Sequence, residues 1–279
     1  SGVFGGGGLK MAQPWLLYEN IYEDGTITAQ SEDSGYPDDN IIDWRLGTPY
    51  RWKTSTLSNR WIKVDLGAGN TAEPDTIVIG GHNLVTAGIT NVYVESSTDD
   101  FSSHTDEINI TSFPSDDSPI VGTFTASAAR RYWRVRLVFS GSTPSEAPQV
   151  GVITLGRRVE LDRLPISCDP YFEEAQTEWS TAVSGAMLGA DFRYTEKRFE
   201  LRWDDAGLLA SDLDDGSAPN FAGVVTHVRD KPVWFAWDTD EETHGAFLCR
   251  RDGGIAQPFV GSKNRRNPRL TLAARDELT

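Results

Sequence analysis

The chain has 279 residues, of which 38% are hydrophobic and 24% charged, and a formal net charge of −15. That apolar content fills one large domain or two ordinary ones. The acidic balance argues against nonspecific binding to nucleic acid or anionic membrane, because phosphates are repelled at long range.

No run reaches the roughly 20 apolar residues of a membrane-spanning helix, so no membrane insertion is expected. The start carries no secretory apolar stretch, since Gly5–Gly8 and Lys10 interrupt it. Residues 1–14 read as a flexible glycine-rich arm, because successive glycines lose much backbone entropy on ordering. Trp15–Tyr22 is apolar and aromatic, a first strand. Asn40–Trp44 fits a helical turn or a short strand, and Thr48–Asn59 is loop with embedded aromatics. Trp61–Gly67 alternates, with Ile62, Val64 and Leu66 opposite Lys63 and Asp65, which predicts a half-buried strand. Thr76–Ile79 is a short β-branched run suited to a strand covered on both faces. Ile89–Ser96 alternates again. So does Arg131–Phe139, where Trp133, Val135, Leu137 and Phe139 oppose Tyr132, Arg134 and Arg136. Val150–Leu155 closes the series. Short strands with turn residues between them and no helical period predict a β-sandwich over 15–156.

The remainder, 157–279, changes character. Phe199, Leu201 and Trp203 alternate with Arg198, Glu200 and Arg202. Asp204–Asp215 spaces its leucines for a short helix. Phe221, Val224, Val225 and Val228 follow the i, i+3, i+4, i+7 pattern of a helix, with Asn220 before it and Pro232 after it. Strands are expected at Val233–Trp237, Ala246–Arg250 and Leu270–Ala274. This predicts an α+β domain, an antiparallel sandwich or barrel with one packed helix, in a mainly β chain.

No enzymatic constellation emerges. His82-Asn83 follows a buried strand in a Gly-Gly turn, with no cysteine or second histidine at metal-ligand spacing, so His82 is expected to fix the turn. The paired acids lie in polar loop runs and read as solvated surface. A nucleophile elbow is absent, and Gly5–Gly8 lacks the lysine of a phosphate loop. The expectation is therefore no catalytic residue, no metal ligand and no cofactor. Tyr36, Trp44, Tyr50 and Trp52 stand apart. They precede the main strand, where a sandwich presents a binding edge, and their rings suit glycan or protein contact. The alternative is that Trp44 and Trp52 plug the mouth of the sandwich. The cysteines, Cys168 and Cys249, can pair, but reduced buried thiols are the expectation.

The set Gly35-Tyr36-Pro37, Asn40-Ile41-Ile42-Asp43, Trp61 to Gly67, Gly81-His82-Asn83-Leu84 and Arg131-Tyr132-Trp133-Arg134 resembles discoidin-like (galactose-binding-like) jelly rolls. The nearest in kind are those of long-tailed bacteriophage tail proteins. More loosely, Phe199 to Trp203, the 220–228 helix and Lys231 to Asp238 are similar to the ring-forming domain of phage distal tail proteins, which places that domain before the sandwich rather than after it. The resemblance implies a structural subunit of the tail tip, assembled in the host cytoplasm and localised to the virion. It would form a ring of its own copies, joined to tube, hub and fibre proteins, with host-surface glycan contact. The alternative is a stand-alone carbohydrate-binding protein with an accessory β domain. Calcium enters only because loops of such sandwiches often hold it. Candidate ring contacts are Phe4 in the arm, acidic Asp240 and Glu241, and basic Lys263, Arg265 and Arg266. No specific nucleic-acid partner is expected.

Overall fold

The structure, a computed structural model, describes residues 14–57, 59–114, 116–139, 146–160, 173–202, 208–209, 219–237, 246–256, 259–260 and 265–275. In chain order the strands begin with β1 (Trp15–Leu17), β2 (Thr26–Ala29), β3 (Trp52–Lys53), β4 (Arg60–Asp65) and β5 (Thr76–His82). There follow β6 (Ile89–Ser97), β7 (Thr105–Ile110), β8 (Ile120–Thr123), β9 (Tyr132–Phe139) and β10 (Gln149–Gly156). Next come β11 (Val159–Glu160), β12 (Glu173–Thr181), β13 (Met187–Arg202), β14 (Leu208–Leu209) and the helix α1 (Phe221–His227). The last strands are β15 (Val233–Ala236), β16 (Ala246–Arg251), β17 (Phe259–Val260), β18 (Arg265–Arg266) and β19 (Arg269–Arg275).

The chain is mainly β, as its alternation predicts. A five-stranded sheet, β2-β4-β9-β6-β7, faces a four-stranded sheet, β3-β10-β5-β8. Between them Ile62, Val64, Trp133, Val135 and Leu137 from one sheet meet Ile77, Ile79, Val150 and Ile153 from the other, all within a few percent of full burial. These are the inward residues of the alternating runs, so period two has set the sandwich core. The Asn40–Trp44 stretch resolves into a 3-10 helix, Asp38–Ile42, that drops Ile41 into that core.

A seven-stranded antiparallel sheet, β11-β1-β15-β16-β19-β13-β12, lies on the outer face of the four-stranded one. Trp15 and Leu17 of β1, Trp234 and Ala236 of β15 and Ala246 of β16 pack there against Val78 and Val152. Hence β5 and β10 are buried on both faces, as the β-branched run at Thr76–Ile79 predicts. The far face of the large sheet carries a third core. Phe221, Val224 and Val228 of the helical segment cover Leu16, Phe199, Leu201, Phe235 and Leu272. The order of layers is sheet, sheet, sheet, helix.

β1, expected to open the sandwich, instead pairs with β15 (Leu16 opposite Phe235) and β11 (Leu16 opposite Val159). Its alternation serves two cores: Leu16 points to the helix side, Trp15 and Leu17 to the sandwich. The sandwich is therefore threaded between two neighbouring strands of the large sheet. The joint depends on Gly80, where an added Cβ would lie 2.5 Å from Trp234 Cη2. The missing side chain lets the indole lie against the backbone, and its Nε1–H donates to Thr154 Oγ1 at 2.8 Å.

The helix expected at 220–228 forms as α1, with Asn220 as N-cap accepting from the Gly223 N–H at 2.8 Å. It is the one α-helix among the described residues. The helix expected at Asp204–Asp215, the arm with Phe4, Asp240, Glu241, Lys263 and Cys168 lie outside the described residues or overlap them only at β14. Arg265 and Arg266 form β18, paired with β14 and β17. Cys249 is buried, its Sγ donating to the Phe247 carbonyl at 3.4 Å.

Candidate functional site

The four loop aromatics singled out from sequence do not form one surface. Trp52 is fully buried in the sandwich core, its Nε1–H donating to the Ser31 carbonyl at 3.1 Å, so neither ring face is open to a ligand. Trp44 lies at the joint with the large sheet. Its backbone takes φ 58°, its Nε1–H donates to Glu23 Oε1 at 2.6 Å, and its ring meets His227 edge-on at 5.5 Å. A left-handed non-glycine residue costs on the order of 1 kcal/mol, here offset by that hydrogen bond and packing.

Tyr36 and Tyr50 remain accessible. Asp33 to Tyr36 closes a turn through Gly35 at φ 86°, and Lys53 Nζ lies 3.0 Å from Asp33 and 5.2 Å from the Tyr36 ring centroid. The Lys53 hydrogen bond holds the Asp33 carboxyl below its usual pKa. Tyr50 ends a short 3-10 helix and is 45% exposed, with the Arg45 guanidinium 4.6 Å from its ring centroid. The half-buried Tyr36 ring and the exposed Tyr50 ring thus each stand beside a cation that can donate to a polar ligand.

His82 does what its turn position predicts. Its Nε2 bonds the Ser118 carbonyl at 3.0 Å and its Nδ1 accepts from the Leu84 N–H at 3.3 Å. Both nitrogens are spent on backbone, tying the β5 end to the loop before β8.

On the outer face of the five-stranded sheet, Glu95 is completely buried although it points away from the sandwich core. Arg134 and Arg136 both donate to it, Arg136 Nε at 2.6 Å, and Phe101 stacks over Arg134 at 4.2 Å. Burial alone would raise the Glu95 pKa, but the two guanidiniums hold it below the usual range. Glu95, His104 and Asp106 bring ligand atoms within 4.8 Å of one another. Both Glu95 oxygens already accept from arginine, so this trio does not fit a calcium ion, which needs free carboxylate oxygens and would be repelled by two cations.

A cleft of about 600 Å³ opens at the joint, lined by Tyr18, Glu19, Asp24, Glu73, Arg157 and His227 among others. Burial raises the pKa of Glu19 and Asp24 and lowers that of His227. Glu19 pairs with Arg157 at 3.4 Å, and His227 Nε2 bonds the Pro232 carbonyl at 2.7 Å.

One surface went unread in the sequence. β12 and β13 form a long hairpin running out from the large sheet, and among the described residues β12 is its edge strand. Cross-strand pairing puts Ala175, Thr177, Trp179 and Thr181 on one face with Phe192, Ala190 and Met187. Glu174, Gln176 and Glu178 lie on the other with Glu196, Tyr194 and Asp191. Trp179 is 60%, Met187 68% and Phe192 52% exposed. The apolar face is the outward continuation of the face that holds Phe199 and Leu201 under the helix. The available signal was the turn at 182–186 between two alternating runs. It is weak because Ala182, Val183, Ser184, Gly185 and Ala186 do not make a strong hairpin turn pair.

No family model and no curated protein matches the chain. Solved structures are similar over half of it. Chitosan-binding module 1 from a chitosanase/glucanase of Paenibacillus sp. IK-5 is 20% identical, over 49% of this chain and 98% of that one, with a TM-score of 0.39. The lectin domain of lectinolysin, complexed with Lewis B antigen, is 20% identical over 50% and 98%, TM-score 0.40. A family 32 carbohydrate-binding module from C. perfringens NanJ, in complex with galactose, is 17% identical over 51% and 98%, TM-score 0.38. The chain is thus similar, across half its length, to modules that bind carbohydrate in those proteins.

Proposed function

We propose that this chain is a non-catalytic structural protein that works in several copies, a tail-tip subunit of a long-tailed bacteriophage whose sandwich faces outward. One observation carries the multi-copy reading: the β12–β13 hairpin holds Trp179, Met187 and Phe192 in water on one face. Large apolar patches of this kind mark association surfaces. The tail-tip setting, with a ring of copies and tube, hub and fibre proteins as neighbours, rests on the resemblance of the second half to ring-forming domains. Light scattering on the purified chain across a concentration series tests the reading, with negative-stain electron microscopy for shape. A closed assembly of defined copy number is expected. A monomer at every concentration would sink it.

A second reading, a stand-alone carbohydrate-binding protein, is favoured by Tyr36 and Tyr50 beside Lys53 and Arg45. A tyrosine ring at the surface with a charged donor beside it suits contact with a sugar. On a glycan array a single chain would then bind a defined sugar, and Tyr50→Ala would weaken it about tenfold, the loss of one contact of roughly 1.4 kcal/mol. The same surface, repeated around an assembly, would gain by avidity.

A further inference from the structure

We propose that two copies of this chain join through the open edge of β12, antiparallel and about a twofold axis at Thr177, so that the large sheet runs on from one copy into the other. This rests on the multi-copy reading and names a pairwise contact within it; a ring would use a second, head-to-tail contact besides. β12 reads Glu173-Glu174-Ala175-Gln176-Thr177-Glu178-Trp179-Ser180-Thr181. Pairing it with itself about Thr177 sets Ala175 opposite Trp179, the smallest side chain against the largest. Gln176 then faces Glu178, Glu174 faces Ser180 and Glu173 faces Thr181. No carboxylate meets another across the axis, although the strand carries three.

Strand regularity fits the same geometry. The pairing of β12 with β13 skips Arg193 and Leu188, so both extra residues lie on β13 and β12 itself keeps an unbroken alternation. Its outer row of backbone N–H and C=O groups is therefore straight enough to add a strand. Trp179, Val183, Met187, Leu188 and Phe192 expose on the order of 500 Å² of apolar side chain, at the upper end of the largest patch of a monomer. Across the seam each Trp179 stands beside the Ala175 of the other copy on the same face, so the two patches join into one continuous apolar strip. A twofold contact uses one patch twice and closes on itself, which suits an edge whose own sequence is self-complementary.

A disulfide at the axis tests the register. Thr177→Cys in a Cys168→Ser background should oxidise to a covalent dimer, because directly opposed residues of an antiparallel pair lie within disulfide reach. Thr181→Cys, four residues off the axis, should not. Trp179→Lys, with Thr177→Lys as a second variant that sets two ammonium groups opposite each other at the axis, should halve the mass of the contact-dependent species while far-ultraviolet circular dichroism stays unchanged. If the wild type assembles but Thr177→Cys stays uncrosslinked and both lysine variants keep the full mass, the edge contact is overturned and the multi-copy reading survives. If the wild type is monomeric throughout, both fall.

Discussion

Trp234 and Trp179 belong to one seven-stranded sheet and meet opposite fates. At the β1-β15-β16 end the sheet is covered on both faces, by the sandwich and by the helix, and Trp234 is wholly buried. At the β12–β13 end the same alternation continues with none of the described elements laid over it, and Trp179 is 60% exposed. Period two says which residues share a face. It does not say whether that face has a neighbour.

That contrast can be broken at several points. The largest effect is expected at the joint. Trp234→Ala removes the indole that lies on Gly80 and leaves Thr154 Oγ1 without its donor, and should cost about 3–5 kcal/mol in urea unfolding. A loss below about 1 kcal/mol would mean that the two sheets are not coupled there. Next is Glu95→Ala, which strands Arg134 and Arg136 in a half-buried setting and should cost about 3 kcal/mol or more. Its pH signature has a defined sign. The folded Glu95 pKa is below the usual 4.5, so its stabilisation is present above that value and is lost as pH falls through the folded one. The wild type should therefore lose melting temperature below about pH 4.5 faster than Glu95→Ala does.

A smaller effect belongs to His227. Burial lowers its pKa from 6.5, so the neutral form is the one that fits between Tyr18 and Trp44. That share of stability is present above pH 6.5 and is lost as the pH drops below it towards the folded value. His227→Gln should flatten the melting temperature between pH 7.5 and 5.5, and an unchanged slope would remove His227 from the account. The smallest change in stability is expected at the hairpin. Trp179→Lys should leave the unfolding of the isolated chain within about 0.5 kcal/mol, because most of the ring stays in water within one copy. A larger loss would mean that the hairpin packs on its own chain.

Much of the sandwich was legible because its strands are covered on known sides. Ile62, Val64, Trp133 and Val135 read inward from alternation alone, and Thr76–Ile79 read as doubly covered from its unbroken apolar run. The destination of Trp15–Leu17 was not legible, since three consecutive apolar residues fit any sheet and only the pairing with Phe235 decides which. The aromatic loop was half legible. All four rings were legible as a candidate contact group, and Tyr50 is exposed while Tyr36 is half-buried. Only the fold shows that Trp52 closes the core and Trp44 the joint. The Glu95 cluster needed β6 and β9 side by side, and its arginines lie 39 and 41 residues from the glutamate in sequence.

The threading of the sandwich between β1 and β11 has a mechanical meaning. A domain hung on one linker can swivel, and a pull on it reaches a single peptide. Here both ends of the sandwich are anchored in adjacent antiparallel strands of the same sheet. A load applied to the sandwich is split between two anchors, and a torque is resisted as well as a tension. For a module that touches a surface while its base is held, that is the difference between a flag and a bracket.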